Sequence, residues 1–121
     1  MQFKIGTENN QIVAVVQSEE KVIVDPQSAL DLLMTAKYDA GAKRIAVDKT
    51  LVADEFFVLS TGMAGEALQK FINYGGKIAI YGDYSHYTSK PLHDFIYESN
   101  KGKDIFFVTT EEAVERLLAA E

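Results

Sequence analysis

The segment from Gly82 to Lys90 has the most unusual composition in the chain, because it places acidic, hydroxyl, imidazole and phenol side chains close together: Asp83, Tyr84, Ser85, His86 and Tyr87. Tyrosine combines a flat apolar ring with a polar tip, which suits contacts with a partner. The segment follows a predicted parallel strand, and open α/β sheets bind ligands at that edge. It is predicted either as an interaction edge formed by Asp83, Tyr84, His86 and Tyr87, or as a loop whose tyrosines cover helix ends.

A hydrolase site is the enzymatic alternative for this segment, with Asp83 or Ser85 acting beside His86 or His93. The sequence has no Gly-x-Ser-x-Gly elbow to present a nucleophile. His86 and His93 are separated by Pro91, so they do not form a His-x-x-x-His metal pair, and the chain has no cysteine. We therefore expect no catalytic residue, no metal site and no cofactor.

The second candidate segment is Ser60-Thr61-Gly62, at the predicted start of a helix. A hydroxyl at this position can cap the free backbone N–H groups of the first turn. The same N–H groups and the helix dipole also favour a bound anion or phosphate. The candidate phosphoacceptor or anion-binding residues are Thr61 first and Ser60 second. Gly62, which lies between them and the helix, belongs to the same site. Capping alone remains the alternative.

Composition narrows the class of protein. The 121 residues include 12 basic and 18 acidic side chains, for a net charge of −6. An acidic protein lacks the basic face that nucleic acids and anionic membranes require. The N-terminal sequence has no apolar signal core, and the apolar runs are too short to span a bilayer. We expect a cytoplasmic protein that binds neither nucleic acid nor membrane.

Hydrophobic periodicity predicts the elements that position the two segments. Residues 2–6 and 11–17 predict a β-hairpin, residues 21–24 a short extended piece, and residues 43–48, 77–81 and 104–108 three strands. Four helices are predicted from the cap residues that precede them, which are Asp25, Thr61, Thr88 or Ser89, and Thr109. Gly41 is predicted to end the first helix. Alternation of strands and helices implies parallel strands with right-handed crossovers. We expect one α/β domain over residues 1–121, with a mixed sheet of about five strands and four helices.

Finer details are also predicted. The buried face of the second helix includes Ile72, because its spacing from Phe71 and Leu68 fits an apolar stripe. Asn100 or Gly102 ends the third helix in a left-handed turn. Thr109 and Glu112 fit a capping box at the start of the last helix.

This order of elements resembles the STAS domain of sulfate transporters and anti-sigma-factor antagonists. Three short motifs carry the resemblance: Val22-Ile23-Val24-Asp25 entering a helix, Ser60-Thr61-Gly62-Met63 opening a helix, and Asn73-Tyr74-Gly75-Gly76 before a strand. In the anti-sigma-factor antagonists an aspartate lies two positions before the phosphoacceptor, and Leu59 takes that position here. The stretch from Thr61 to Asn100 also resembles a small bacterial family of unknown function.

The resemblance implies a non-enzymatic interaction and regulatory module with a protein partner. Phosphorylation of Thr61 would add about −1.5 to −2 charges at the partner surface and release an acidic partner. The alternative is a protein that binds a small ligand in a pocket beside the tyrosine-rich loop. The hydrophobic N-terminal edge strand could also pair with that of a second copy to form a homodimer, unless Lys4 and Glu8 prevent this pairing.

Overall fold

The structure is a computed structural model that describes residues 1–120. Its strands and helices, in chain order, are β1 (Gln2–Glu8), β2 (Gln11–Gln17), α1 (Pro26–Ala40), β3 (Arg44–Asp48), α2 (Met63–Asn73), β4 (Lys77–Tyr81), α3 (Lys90–Lys101), β5 (Ile105–Val108) and α4 (Ala113–Ala119). Three 3₁₀ turns, Lys49–Leu51, Asp54–Phe57 and Leu59–Thr61, connect β3 to α2. The α/β class, the mixed five-stranded sheet and the four helices confirm the predicted fold.

The sheet keeps the strands in chain order, β1-β2-β3-β4-β5. The first two strands pair antiparallel, and the other three neighbouring pairs are parallel. The hairpin turns at Asn9 and Asn10, which have φ values of 50° and 66°. Two positive φ values in a two-residue loop are typical of the type I′ turn, whose twist matches the flanking strands.

Three helices cover one face of the sheet and the last helix covers the other. Buried residues of α1, α2 and α3 share one core cluster with Ile45, Ile78 and Ile80, whereas α4 contributes Ala113 and Leu117 to a second cluster on the opposite face. All parallel crossovers therefore lie on one side. The strand order never reverses, so the sheet has no topological switch point, which is where open sheets usually bind ligands.

The cap residues at both ends of α1 and at the start of α3 agree with the sequence predictions. The Asp25 carboxylate accepts from the Ser28 backbone N–H, and the Ser28 hydroxyl reciprocates, so α1 begins with a capping box. Gly41 ends α1 with φ 63°, and the Ser89 hydroxyl caps α3 through the Leu92 N–H. Each signal depends on residues three or four positions apart, so the sequence contains all the information needed.

Several finer predictions were wrong. Ile72 is 44% exposed because α2 rests on the sheet through Ala64, Ala67, Leu68 and Phe71. The short extended piece predicted at residues 21–24 is present as an isolated bridge, Ile23 to Val52, and adds no strand to the sheet.

Two helix-end predictions were also wrong. Asn100 lies inside α3, and Gly102 ends that helix at a φ of −84°, so neither adopts a left-handed turn. The Thr109 hydroxyl donates to the Glu112 carboxylate at 2.8 Å, but α4 begins at Ala113 without a side-chain cap. No helix within residues 1–120 has both the length and the hydrophobicity to cross a bilayer.

Candidate functional site

The hydroxyl of Thr61 ties together the irregular segment before α2. Its Oγ1 lies 2.9 Å from the carbonyl oxygens of both Glu55 and Val58, to which it donates. The same oxygen accepts from the Met63 backbone N–H at 3.2 Å, at the first position of α2. Thr61 is therefore a cap for the helix and also a clamp on the Asp54–Phe57 turn.

Gly62 separates Thr61 from the helix. It has φ 78°, a left-handed conformation that ends the Leu59–Thr61 turn and begins α2 without a side-chain cap of its own. Ser60 is exposed in the preceding turn. The three residues predicted as a candidate phosphoacceptor or anion site thus lie together at the surface, with Thr61 the most constrained of them.

The rings of the tyrosine-rich loop pack onto the core. Tyr84 and Tyr87 both contact Phe57, with ring centroids 6.1 and 5.5 Å away, and Tyr84 meets Phe107 edge-on at 5.9 Å. The Tyr84 hydroxyl donates to the Ile80 carbonyl at 2.7 Å. These two tyrosines cover the ends of neighbouring elements, which agrees with the second interpretation of the loop.

His86 has a different position, because its exposed ring lies against Tyr87 with the centroids 4.2 Å apart. Asp83 is also exposed, and its carboxylate accepts from the Ser85 backbone N–H at 2.8 Å. The loop therefore presents a polar outer side on an aromatic base that is fixed by the core.

Lys49 completes this aromatic base. Its ammonium lies 5.2 Å from the Phe57 ring centroid and 4.8 Å from that of Tyr87, within the range of cation–π attraction. The side chain also passes Gly82, where an added Cβ would lie 2.9 Å from the Lys49 Cβ. Glycine at position 82 thus leaves space for the lysine.

Burial and hydrogen bonding shift the pKa of three groups at this end of the sheet. Burial, with a smaller contribution from Asp48, raises the pKa of Tyr81. Burial also raises the pKa of Tyr84, followed by the effects of Tyr87 and Asp48, so this phenol stays protonated. Hydrogen bonds from Ser85 lower the pKa of Asp83, and the electrostatic effects of His86 and Lys49 lower it further.

The two segments singled out in the sequence are joined in the structure. The Thr61 hydroxyl bonds the carbonyls of Glu55 and Val58, on either side of Phe57. The Phe57 ring stacks on Tyr87, and the Tyr87 ring lies at a tilt against His86. We define the Thr61–His86 surface by four exposed residues that lie on this path or next to it in the chain: Val58, Ser60, Thr61 and His86. Val58 is 52% exposed, which is high for an aliphatic side chain.

The sequence analysis missed Phe57 and Lys49, which join the two segments. Phe57 lies in a stretch without clear periodicity, so nothing local indicated where its ring points. Lys49 had a usable signal, because it directly follows β3 and so must lie at the same sheet edge as the residues after β4.

The hydrolase arrangement is not assembled among residues 1–120. His93 Nε2 donates to the Tyr87 carbonyl at 2.6 Å, and Asp83 is bonded to the Ser85 N–H. The hydrogen bonds found in this part of the chain include none from Asp83 or Ser85 to an imidazole. Within the same residues, no cluster of three or more histidine, aspartate or glutamate side chains could hold a metal ion.

An open hollow of about 320 Å³ lies on the far side of the loop. Its polar lining comes from Asp83, Thr109, Glu112 and Arg116, and its apolar wall from Tyr84 and Phe107. Arg116 is already engaged, since it donates to the Asn100 carbonyl at 2.9 Å and stacks on Phe106.

Comparison with known proteins gives a family whose function is unknown. No curated protein matches the chain significantly. The predicted STAS relationship stays a prediction, while the predicted membership in a family of unknown function agrees with the match over residues 8–118. The chain belongs to the family described as Domain of unknown function (DUF4180).

Proposed function

We propose that the protein is a non-enzymatic interaction module, similar to anti-sigma-factor antagonists, and that it binds a protein partner through the Thr61–His86 surface. The observation that carries this proposal is a path in two steps: the Thr61 hydroxyl bonds the carbonyls on either side of Phe57, and the Phe57 ring contacts Tyr87, which contacts His86. Because of this path, a change at Thr61 reaches the outer side of the tyrosine-rich loop.

The surface has properties that suit a protein partner. Its exposed groups are one aliphatic side chain, two hydroxyls and one imidazole, supported by rings that are already packed. A platform fixed by the core loses little conformational entropy on binding, which favours affinity. Tyr87, which is partly exposed beside His86, belongs to a residue type that is common at binding hot spots.

Modification of Thr61 would act directly on this platform. A phosphate on Oγ1 removes the donor proton and brings about two negative charges close to the carbonyl oxygens of Glu55 and Val58. Those contacts cannot survive, so the Asp54–Phe57 turn must shift, and Phe57 moves with it. Partner release upon phosphorylation then follows from lost complementarity as well as from charge.

The test uses a photo-crosslinking phenylalanine analogue placed at His86 or Val58 in the full chain, inside the source cell. Tyr38 is the control position, because it is 91% exposed and lies near the end of α1, just before β3 begins, whereas the tyrosine-rich loop follows the opposite end of the parallel strands. We expect one partner to be captured from positions 86 and 58 and not from position 38. Equal capture from all three positions, or none, would reject the surface.

Two variants of Thr61 distinguish the effect of an added negative charge from the effect of losing the hydrogen bonds of the hydroxyl. Thr61→Val removes the hydrogen bonds without adding charge, whereas Thr61→Glu also adds a negative charge. We expect Thr61→Glu to lower crosslinking at position 86 at least tenfold and Thr61→Val to lower it much less. Equal effects of the two variants would show that Thr61 has only its capping role.

The hollow beside the loop supports a second candidate function, the binding of a small polar ligand. Acidic and basic side chains converge there on an aromatic wall, as in many ligand sites. A metabolite library screened by thermal shift would test this function, with Glu112→Gln as the variant expected to abolish the response. A library that stabilises neither protein would reject it.

A further inference from the structure

We propose that β1 is a dimerisation edge, which pairs antiparallel with β1 of a second copy of this chain to form one continuous ten-stranded sheet. The proposal is independent of the Thr61–His86 surface, since β1 and β4 are separated by two strands and the tyrosine-rich loop follows β4. Three observations support it. The backbone groups on the outer side of β1 are unpaired, a side chain covers the other edge strand, β5, and Lys4 and Glu8 of β1 carry opposite charges.

The hairpin geometry decides which backbone groups of β1 face outward. Glu8 and Gln11 flank the two-residue turn and are register partners, so they form its closing hydrogen-bonded pair. Hydrogen-bonded and non-bonded pairs alternate along an antiparallel ladder. The N–H and C=O groups of Phe3, Ile5 and Thr7 therefore point away from β2, along a strand with no proline and an uninterrupted register.

The opposite edge of the sheet is covered by the chain itself. The Asn100 amide donates to the Phe107 carbonyl at 3.0 Å and accepts from the Phe107 N–H at 2.8 Å. One side chain thus satisfies the outward backbone groups at the middle of β5, as a neighbouring strand would. Natural sheets usually protect their edges in such ways, and β1 has no equivalent cover among the hydrogen bonds of residues 1–120.

One register satisfies the outward groups of both copies. With Ile5 opposite the partner's Ile5, Phe3 lies opposite the partner's Thr7, and all outward-facing residues form hydrogen-bonded pairs. The Ile5 side chain, which is 46% exposed in the single chain, then packs against its own copy across the two-fold axis. Cross-strand apolar pairs of this kind stabilise sheets.

The charges on β1 are compatible with this register. Lys4 and Glu8 project on the α4 face, since their partners Val15 and Gln11 alternate with the residues of β2 that face α1. In the dimer Lys4 lies opposite the partner's Gly6, which has no side chain. It is diagonal to the partner's Glu8 on one side and to the partner's Lys4 on the other, so two Lys4–Glu8 diagonals stand against one Lys4–Lys4 diagonal. A slide of two residues in one direction would place Lys4 directly opposite the partner's Lys4, which is unfavourable. A slide in the other direction would place Lys4 opposite the partner's Glu8, but Phe3 would then lie opposite the partner's Asn9, beyond the partner's strand, and fewer outward groups would be paired.

A single introduced cysteine tests the register, because the chain contains none. In the proposed dimer of Ile5→Cys, the Cα atoms of the two cysteines lie about 5.5 Å apart, which is within the range found for disulfides. With diamide as oxidant, we expect Ile5→Cys to form a covalent dimer at least tenfold faster than Tyr38→Cys. Equal rates would overturn the proposal.

Charge exchange tests the interface in solution by sedimentation velocity of the full chain between about 10 and 500 µM. We expect a concentration-dependent dimer that is weakened at least about threefold by Lys4→Glu or by Glu8→Lys. The double variant restores the opposite charges and should recover wild-type association.

Two outcomes would refute the dimer. A wild-type chain that stays monomeric at 500 µM would show that the edge is unpaired or reserved for an extended segment of another protein. A dimer that neither the single variants nor the double variant alters would use another surface.

Discussion

Replacing Thr61 by valine removes one hydroxyl and keeps the branched shape of the side chain. In the wild type this hydroxyl lies 2.9 Å from two carbonyl oxygens and 3.2 Å from the Met63 nitrogen. It has one proton, so at any moment it donates one hydrogen bond and accepts another. The variant therefore loses two hydrogen bonds at once, not three.

The magnitude follows from the net value of such bonds. Each contributes about 1 kcal/mol to the free energy of unfolding, which gives about 2 kcal/mol for the pair. Thr61 is exposed, so water can solvate part of what the variant leaves unpaired. We expect a loss of about 1–2 kcal/mol, which for a domain of this size lowers the melting temperature by about 3–8 °C.

Urea unfolding followed by far-UV circular dichroism measures this loss. Thr61→Val should unfold at a lower urea concentration with an unchanged slope, since the same surface is exposed on unfolding. Thr61→Ser keeps the hydroxyl and should stay within about 0.5 kcal/mol of the wild type, as should Ser60→Ala at the exposed neighbouring position. If Thr61→Val unfolds at the same concentration as Ser60→Ala, the hydroxyl is not a clamp, and the argument that phosphorylation displaces Phe57 fails with it.

Three further predictions concern the residues around the site and the covered edge. Asn100→Ala should lower the free energy of unfolding by about 1–2 kcal/mol and speed amide exchange at Phe107, because two hydrogen bonds to β5 are lost. Gly82→Ala should cost about 1–3 kcal/mol in thermal unfolding, since its Cβ would meet Lys49 at a φ of 157°. Asp83 has a lowered pKa in the folded chain, so it stabilises the fold above its ordinary pKa and loses that effect as the pH falls through the folded-state pKa. Asp83→Asn should therefore flatten the dependence of the urea midpoint on pH below about pH 4.

Each of these predictions has a clear contrary result. Unchanged amide exchange at Phe107 in Asn100→Ala would show that the amide does not cover the edge. Gly65→Ala is the control for Gly82→Ala, because nothing lies within 4 Å of its added Cβ and alanine favours a helix by about 0.5–1 kcal/mol. Equal effects at the two glycines would contradict the close approach of Lys49. A steeper acid dependence in Asp83→Asn would contradict the sign of the pKa shift.

The sequence by itself determined the order and type of the elements. Apolar spacing located all five strands and all four helices, and cap residues such as Asp25, Gly41 and Ser89 placed three helix ends. These features depend on contacts within one turn of helix or across one hairpin. Local sequence therefore contains enough information to predict them.

Only the tertiary structure decided which side chains meet. Arg44 is buried in β3 because its guanidinium binds the carbonyl of Leu117 at the end of α4, 73 residues away. Asn100, predicted to end a helix, instead covers the edge of β5. Such contacts depend on how the helices pack against the sheet, and this packing cannot be predicted from a local sequence pattern.

The candidate site shows the same division. The sequence singled out Thr61 and the tyrosine-rich loop as separate segments, each from its own residue types. The irregular stretch between β3 and α2 has no periodicity, so its path could not be read in advance. Folding of that stretch places Phe57 between the two segments and makes them one surface.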